Sequence, residues 1–117
     1  MNFYIPKRRK AQPLGMRETP QLRSDPHLRW IRGHECSVIH SGGCEGKIEA
    51  CHVRTGTDGG MGVKPSDNFS IPCCSGHHAE QHRMGEGPFE AKHKISMRKI
   101  ADALWAKSPH RKTPAEG

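Results

Sequence analysis

The sequence has few of the residues that build a large hydrophobic core. Only 32% of its 117 residues are hydrophobic and 5% are aromatic, so the chain has room for one small domain with a thin core. A domain this poor in apolar residues usually depends on a bound metal or on disulfides. The composition therefore predicts a staple of one of these two kinds.

The sequence also lacks an apolar run long enough to span a membrane, and its first residues, MNFYIPKRRK, lack the apolar segment of a secretory signal. We therefore expect a cytoplasmic protein with no membrane partner. In that reducing compartment the cysteines, five in number, indicate metal binding rather than disulfides.

Positive charge is concentrated at the two ends of the chain. Residues 1–32 hold eight Lys/Arg against two acidic residues, residues 92–117 hold seven against two, and residues 33–91 hold four against eight. Basic arms around a mildly acidic centre are typical of a protein that binds a polyanion and holds a cation between the arms. The alternative is that the basic tails only aid solubility or bind RNA non-specifically.

The chain divides into a basic, disordered arm over residues 1–24, one α+β domain over 25–107 and a disordered tail over 108–117. Within the domain the pattern predicts helices over 25–32, 74–84 and 96–107, one further turn at 89–93, and strands over 47–54 and 69–72. Asp25 is the predicted cap of the first helix. The candidate core residues of the first and last helices are apolar: Leu28, Trp30, Ile31, Met97, Ile100, Ala103 and Leu104.

Two local pairs of metal-binding residues predict a structural zinc site. Cys36 and Cys44 flank one turn, and Cys74 and His77 are three apart on a predicted helix. Together they would form a closed Cys3His set, a usual one for structural zinc. Cys73 competes with Cys74 for this role, and Cys36 and Cys44 could instead be small buried residues.

A second group of residues indicates a catalytic metal and a base. His78 and His82 are four apart, so they share a helix face and can hold one divalent ion, which with open positions binds a phosphate oxygen. His52 is the candidate general base, because a neutral imidazole can take a proton from water. Asn68 could orient His52 or fix the loop, and Asp67 beside it could do either or contact the metal.

The glycine-rich segment over 56–64 lacks the G-K-[ST] ending of a phosphate-binding loop, so a tight backbone path between the strands is favoured. Candidate contacts to the DNA backbone are basic residues beside this segment and in the N-terminal arm: Arg54, Lys64, Lys7, Arg8, Arg9 and Lys10. For Arg54 and Lys64 the alternative is solvated surface charge.

Residues 49–82, EACHVRTGTDGGMGVKPSDNFSIPCCSGHHAEQH, resemble the HNH (His-Me finger) endonuclease superfamily. More narrowly, they resemble a branch of small phage and prophage nucleases of the DUF968 and recombination-enhancement type. The resemblance covers residues 34–107 and implies a zinc-stapled ββα-metal domain with an added C-terminal helix. It implies His52 as general base, His78 and His82 at a catalytic Mg²⁺ or other divalent ion, and the four zinc ligands named above. Cys51 stands where many HNH enzymes place an Asp or His ligand, and its thiolate suits zinc better than Mg²⁺.

We therefore expect a metal-dependent endonuclease of phage or prophage type that hydrolyses phosphodiester bonds in DNA during recombination or DNA processing. The alternative is a noncatalytic, zinc-stapled module that binds nucleic acid. A third reading, by family analogy, is an accessory protein that cuts only beside a partner such as a recombinase filament.

Overall fold

In the computed structural model, residues 21–59 and 63–111 are described, and they form four α-helices and a two-stranded sheet. The elements in chain order are α1 (Asp25–Arg32), a 3₁₀ turn (Ile39–Ser41), β1 (Ile48–His52), β2 (Ser70–Cys74), α2 (Ser75–Met84), α3 (Glu86–His93) and α4 (Met97–Lys107). The predicted α+β class is confirmed. Strands β1 and β2 and helix α2 make a ββα unit; α1 and α4 contact the sheet, and α3 packs on α2.

Helix α1 covers the predicted range but has a different cap. Ser24 has an extended backbone (φ −147°), and its Oγ accepts the N–H of His27 at 3.2 Å. Asp25, the predicted cap, is the first helical residue, where its negative charge complements the helix dipole. Gly33 ends the helix.

The core face of α1 also differs from the prediction. Ile31 is fully buried, whereas Leu28 and Trp30 are only half-buried. His27 takes their place: its ring lies 4.9 Å from that of Trp105 on α4. Because histidine is polar, nothing in the sequence indicated that His27 would be buried.

The two strands are antiparallel, with Ile48 opposite Cys74 and His52 opposite Ser70. Each predicted strand is recovered with shifted ends, since β1 is shorter than expected and β2 runs on to Cys74. Cys74 ends β2 and also caps α2, because its Sγ accepts the N–H of His77 at 3.4 Å. The strand therefore passes into the helix without a loop.

Helix α3 is longer than the single turn expected at 89–93. Gly85, Gly87 and Pro88 suggest a break, yet Pro88 lies in the first turn, where a helix does not need its N–H. Glu80 of α2 pairs with Lys92 and His93 of α3, and these two partners lower the pKa of its carboxyl to about 2.

Helix α4 begins at Met97 because the Oγ of Ser96 accepts the N–H of Lys99 at 3.3 Å. Met97 and Ala101, four apart, are its buried residues. The predicted Ala103 is exposed, and the predicted Ile100 and Leu104 are half-buried. The buried stripe of α4 therefore runs through Met97 and Ala101, and not through the predicted Ala103 and Leu104.

The core is small and unusually rich in cysteine. Its buried cluster consists of Cys36, Val38, Cys51, Val53, Ile71, Cys73, Cys74, Phe89, Met97 and Ala101. None of the helices in the described parts of the chain is long and apolar enough to cross a membrane.

Residues 21–24, assigned from the sequence to a disordered arm, instead pack on the loop before β2. The N–H of Leu22 donates to Ser66 Oγ at 2.9 Å, and the N–H of Asp67 donates to the carbonyl of Leu22 at 2.9 Å. Ser108, assigned to a disordered tail, is buried and lies 2.8 Å from His27 Nδ1. Both corrections come from contacts distant in sequence. The other residues predicted as arm and tail, 1–20 and 112–117, lie outside the described residues.

Candidate metal centre and active site

Cys36, Cys44, Cys74 and His77 come together in one cluster, with their ligand atoms all within 4.8 Å of one another. The Nδ1 of His77 lies 3.1, 3.5 and 3.7 Å from the Sγ atoms of Cys74, Cys36 and Cys44. With Zn–S bonds of about 2.3 Å and Zn–N bonds of about 2.0–2.1 Å, a sulfur and a nitrogen on one tetrahedral ion lie about 3.6 Å apart. The cluster therefore fits a metal such as zinc in both donor chemistry and spacing.

Local backbone structure builds this cluster. Cys44 follows Gly42 and Gly43, both at positive φ, and the chain then lies across the start of α2. The N–H of Gly76 donates to the carbonyl of Glu45 at 3.0 Å. Gly46, at φ 80°, allows this approach, because a Cβ there would lie 2.8 Å from the Cβ of Ser75.

The sequence left open whether Cys73 or Cys74 belongs to the cluster, and the structure places Cys74 there. Cys74 accepts the backbone N–H of Glu45 at 3.3 Å and that of His77 at 3.4 Å. Burial opposes ionisation of Cys74, but these two hydrogen bonds and those from the Cys44 and Cys36 thiols together lower the pKa of its thiol. Cys73 is fully buried, and the neighbouring Cys51 thiol and burial raise its pKa. Cys74 is therefore the cluster's cysteine on this strand.

Beside the metal centre, a cleft of 560 Å³ opens between β1, the following loop and α2. Its lining includes His52, His78 and His82, the three histidines that the sequence assigned to chemistry. The Nε2 atoms of His78 and His82 lie 3.2 Å apart. Two imidazole nitrogens on one ion are about 2.9–3.4 Å apart, so this pair is spaced to share an ion.

Glu49, which the sequence analysis did not single out, determines how His78 is presented. Its Oε1 lies 2.7 Å from His78 Nδ1, and its Oε2 accepts the hydroxyl of Ser75 at 3.0 Å. The bond from His78 lowers the pKa of the Glu49 carboxyl. A carboxylate on one imidazole nitrogen commonly leaves the other to face a metal, and here the other nitrogen faces His82.

His52 is held by Asp67, not by Asn68. Its Nε2 lies 2.9 Å from Asp67 Oδ1. Within residues 21–59 and 63–111, no group hydrogen-bonds to His52 Nδ1. Asn68 is half-buried and is not among the residues that line the cleft.

The carboxylate of Asp67 is itself fixed by the segment before α1. The N–H of Ser24 donates to its Oδ2 at 2.6 Å, and Arg23 Nη1 lies 3.4 Å from its Oδ1. Arg23 also donates to the carbonyls of Pro65 at 2.5 Å and Lys64 at 3.0 Å. Asp67 is 2% exposed, so the orientation of His52 depends on residues that the sequence placed in the arm.

These surroundings keep His52 neutral near neutral pH. Burial is the largest influence and lowers the pKa of His52, Asp67 raises it, and the positive charges of Lys64 and Arg23 lower it, so that the net shift is downward. Burial by itself would raise the pKa of Asp67, but hydrogen bonds from His52 and Ser24 reverse the effect. A neutral His52 that donates Nε2–H to ionised Asp67 leaves Nδ1 as a proton acceptor.

The loop after β1 is fixed by Glu86, another residue absent from the sequence prediction. Its carboxylate accepts the backbone N–H groups of Arg54 at 2.7 Å and Thr55 at 2.9 Å. Arg54 and Lys64 are exposed and line the cleft. The predicted contacts in the arm, Lys7, Arg8, Arg9 and Lys10, lie outside the described residues.

Cys51 belongs to neither group of ligands formed by the described residues. It is fully buried, and its Sγ lies 3.7 Å from Gln81 Oε1. No sequence motif marked the three residues that position the cleft, because each of them acts through a partner distant in sequence: Glu49, Arg23 and Glu86.

Fold and site together define a small α+β protein in which a Cys3His cluster, able to hold a metal such as zinc, joins the segment before β1 to the ββα unit. The chain belongs to the DUF968 family, described as a protein of unknown function, whose model matches residues 14–107. The DUF968 part of the resemblance is thereby confirmed, and the function of that family is unknown. No curated protein and no solved structure matches the chain.

Proposed function

We propose that this protein is an HNH-type endonuclease that hydrolyses phosphodiester bonds in DNA with a divalent ion. The observation that carries the proposal is a neutral His52 paired with Asp67 in the same cleft as the converging Nε2 atoms of His78 and His82. Hydrolysis of a phosphodiester needs a proton acceptor for water and positive charge beside the phosphate. The two histidine groups are suited to supply both.

In the proposed reaction His52 Nδ1 takes a proton from water as the water oxygen bonds to phosphorus. The bond from phosphorus to the 3′ oxygen breaks, and that oxygen acquires a proton from solvent. Asp67 is a positioning residue: it accepts Nε2–H at 2.9 Å and stabilises the imidazolium that forms. Arg23 and Ser24 keep Asp67 ionised and in place.

A divalent ion held by His78 and His82 would stabilise negative charge on the phosphate and on the departing oxygen. Imidazole nitrogens suit Zn²⁺, Fe²⁺ and Ni²⁺ better than Mg²⁺, which prefers oxygen ligands. The donor set thus favours a transition-metal ion over the Mg²⁺ suggested by the resemblance. Glu49 holds His78 with Nε2 toward His82.

The substrate is proposed from charge. Arg54 and Lys64 are exposed at the cleft, and the chain carries a formal net charge of +7. Lys and Arg on a surface bind nucleic-acid phosphates without reading the base sequence. We therefore propose backbone contacts that bring DNA to the cleft without strong sequence preference.

Nicking of supercoiled plasmid in the presence of Mg²⁺, Mn²⁺, Ni²⁺ or Zn²⁺ tests the proposal. Cleavage of single-stranded DNA is measured with the same ions, both for the bare DNA and for DNA coated with a recombinase filament. The His52→Ala protein should lose about 10²–10⁴-fold in rate, the usual contribution of a general base, while it keeps its DNA affinity. His110→Ala, a histidine that does not line the cleft, is the matched control. Undiminished cleavage by His52→Ala would remove this residue from the mechanism. DNA binding without cleavage under every condition would favour a noncatalytic zinc-stapled module.

A further inference from the structure

A second group of metal-binding side chains adjoins the Cys3His cluster. His77 and Glu80 of α2 and His93 of α3 each place one ligand atom within 4.8 Å of the others. His77 is 7% exposed and His93 is 4% exposed. Neither the zinc ligands nor the proposed nuclease cleft uses Glu80 or His93.

Both of these side chains are already oriented. His93 Nδ1 lies 2.7 Å from Ser41 Oγ, and its Nε2 lies 2.7 Å from Glu80 Oε1. The other carboxylate oxygen of Glu80 pairs with Lys92. Glu80 Oε1 and His93 Nε2 therefore face each other, close to the ring of His77.

His77 belongs to both clusters. Its Nδ1 faces the three thiols, and an imidazole carries its second nitrogen on another edge of the ring. One imidazole can therefore bind two ions, one through each nitrogen.

A cavity of 360 Å³ gives access to this side of the ring. Its lining includes Ser41, Gly42, Gly43, His77, Glu80 and His93. Two histidines and one glutamate with room for water are a known ligand set for zinc, and the cavity leaves room for the water that would complete it.

We propose that His77, Glu80 and His93 bind a second divalent transition-metal ion, bridged to the structural zinc through the His77 imidazole. When this ion binds, the proton on His77 Nε2 passes to solvent. His93 exchanges tautomer, so that Nε2 binds the ion and Nδ1–H donates to Ser41. The Ser41 hydroxyl can serve both tautomers, because it can donate or accept a hydrogen bond.

The competing explanation is that Glu80, Lys92 and His93 form only an ion-pair clamp between α2 and α3. Two substitutions separate the explanations. Glu80→Gln preserves shape but removes the anionic ligand, whereas Lys92→Ala removes the partner in the clamp and leaves all three proposed ligands. Both are made in a His82→Ala background, so that the ion proposed for the cleft does not enter the count.

The zinc content of each purified protein is measured by elemental analysis after equilibration with Zn²⁺ and gel filtration. We expect two zinc ions per chain in the background protein and with Lys92→Ala, and one with Glu80→Gln. An equal zinc content in all three proteins would overturn the proposal and leave the clamp. This readout does not depend on whether the protein cleaves DNA.

Titration of the His82→Ala protein with Co²⁺ keeps the proposal testable if Glu80→Gln does not fold. The first equivalent should produce the thiolate-to-cobalt absorption of the Cys3His cluster. A second tight equivalent should release protons and alter the cobalt bands without further thiolate absorption, and this step should be absent from His93→Ala. One tight equivalent at the thiolates, with no second step outside the cleft, would refute the second site.

Discussion

Cys44→Ser isolates the energy that a metal contributes to this fold. Cys44 is exposed, whereas the other two cysteines of the cluster are 3% and 1% exposed. Substitution of an exposed residue changes stability by only about ±0.5 kcal/mol when no special contact is lost. A larger effect would therefore report the loss of a metal ligand and not the loss of packing.

The expected magnitude follows from linkage between binding and folding. Free zinc at about 1,000 times its Kd stabilises the folded state by about 4 kcal/mol. For a domain of this size, each kcal/mol moves the Tm by about 4–8 °C. The unsubstituted protein should therefore lose roughly 15–30 °C of Tm when a chelator removes zinc.

Thermal unfolding followed by circular dichroism, with zinc and with chelator, makes the comparison. With zinc, Cys44→Ser should melt well below the parent, and chelator should lower its Tm by less than it lowers the Tm of the parent, because only the other proposed sites can still bind zinc. Cys73→Ser is the control: it perturbs the buried core but should keep the zinc-dependent gain in Tm. If Cys44→Ser kept the whole gain, zinc binding by this cluster would be refuted.

Three further predictions concern the cleft and the backbone of the metal centre. Arg23→Gln removes a positive charge that lowers the pKa of His52, so the acidic limb of the rate–pH profile should move to higher pH; an unmoved limb would contradict this electrostatic role. Glu49→Gln should weaken binding of the cleft ion by about 10–100-fold, the usual loss for the carboxylate partner of a ligating histidine, as calorimetric titration would measure. Gly46→Ala should lower stability by about 2–4 kcal/mol from positive φ and a clash with the first side chain of α2. Gly43→Ala, also at positive φ but with nothing within 4 Å of the added Cβ, should cost only about 1–2 kcal/mol, and equal losses in denaturant titration would contradict the clash.

The sequence predicted what depends on local spacing. The interval from Cys74 to His77 places a thiol at a helix cap and an imidazole one turn later, and the cluster followed from it. The ranges of α1, α2 and α4 also followed from local signals, to within a residue or two. Their caps were less predictable, since Ser24 and not Asp25 has the extended backbone that capping requires.

The parts that escaped prediction depend on distant contacts. Asp67 and Asn68 are neighbours in the chain, and only the fold shows that Asp67 faces His52. Glu49 meets His78 because β1 lies beside β2, which leads directly into α2. His27 is buried because α4 covers it, and no pattern of apolar residues could indicate this.

The hydrogen bonds from residues 22–24 to Ser66 and Asp67 bear on where this protein can be shortened. A version trimmed to begin at Asp25 would lose the Ser24 cap of α1 but keep the residues of every helix and strand and all four residues of the thiol–imidazole cluster. We expect it to melt cooperatively and to retain zinc. Asp67 would lose its contacts with Arg23 and Ser24, and the orientation of His52 would then be less restricted. The far-ultraviolet circular dichroism spectrum should be unchanged while the rate of cleavage falls. A synthetic peptide spanning the missing segment should restore part of that rate.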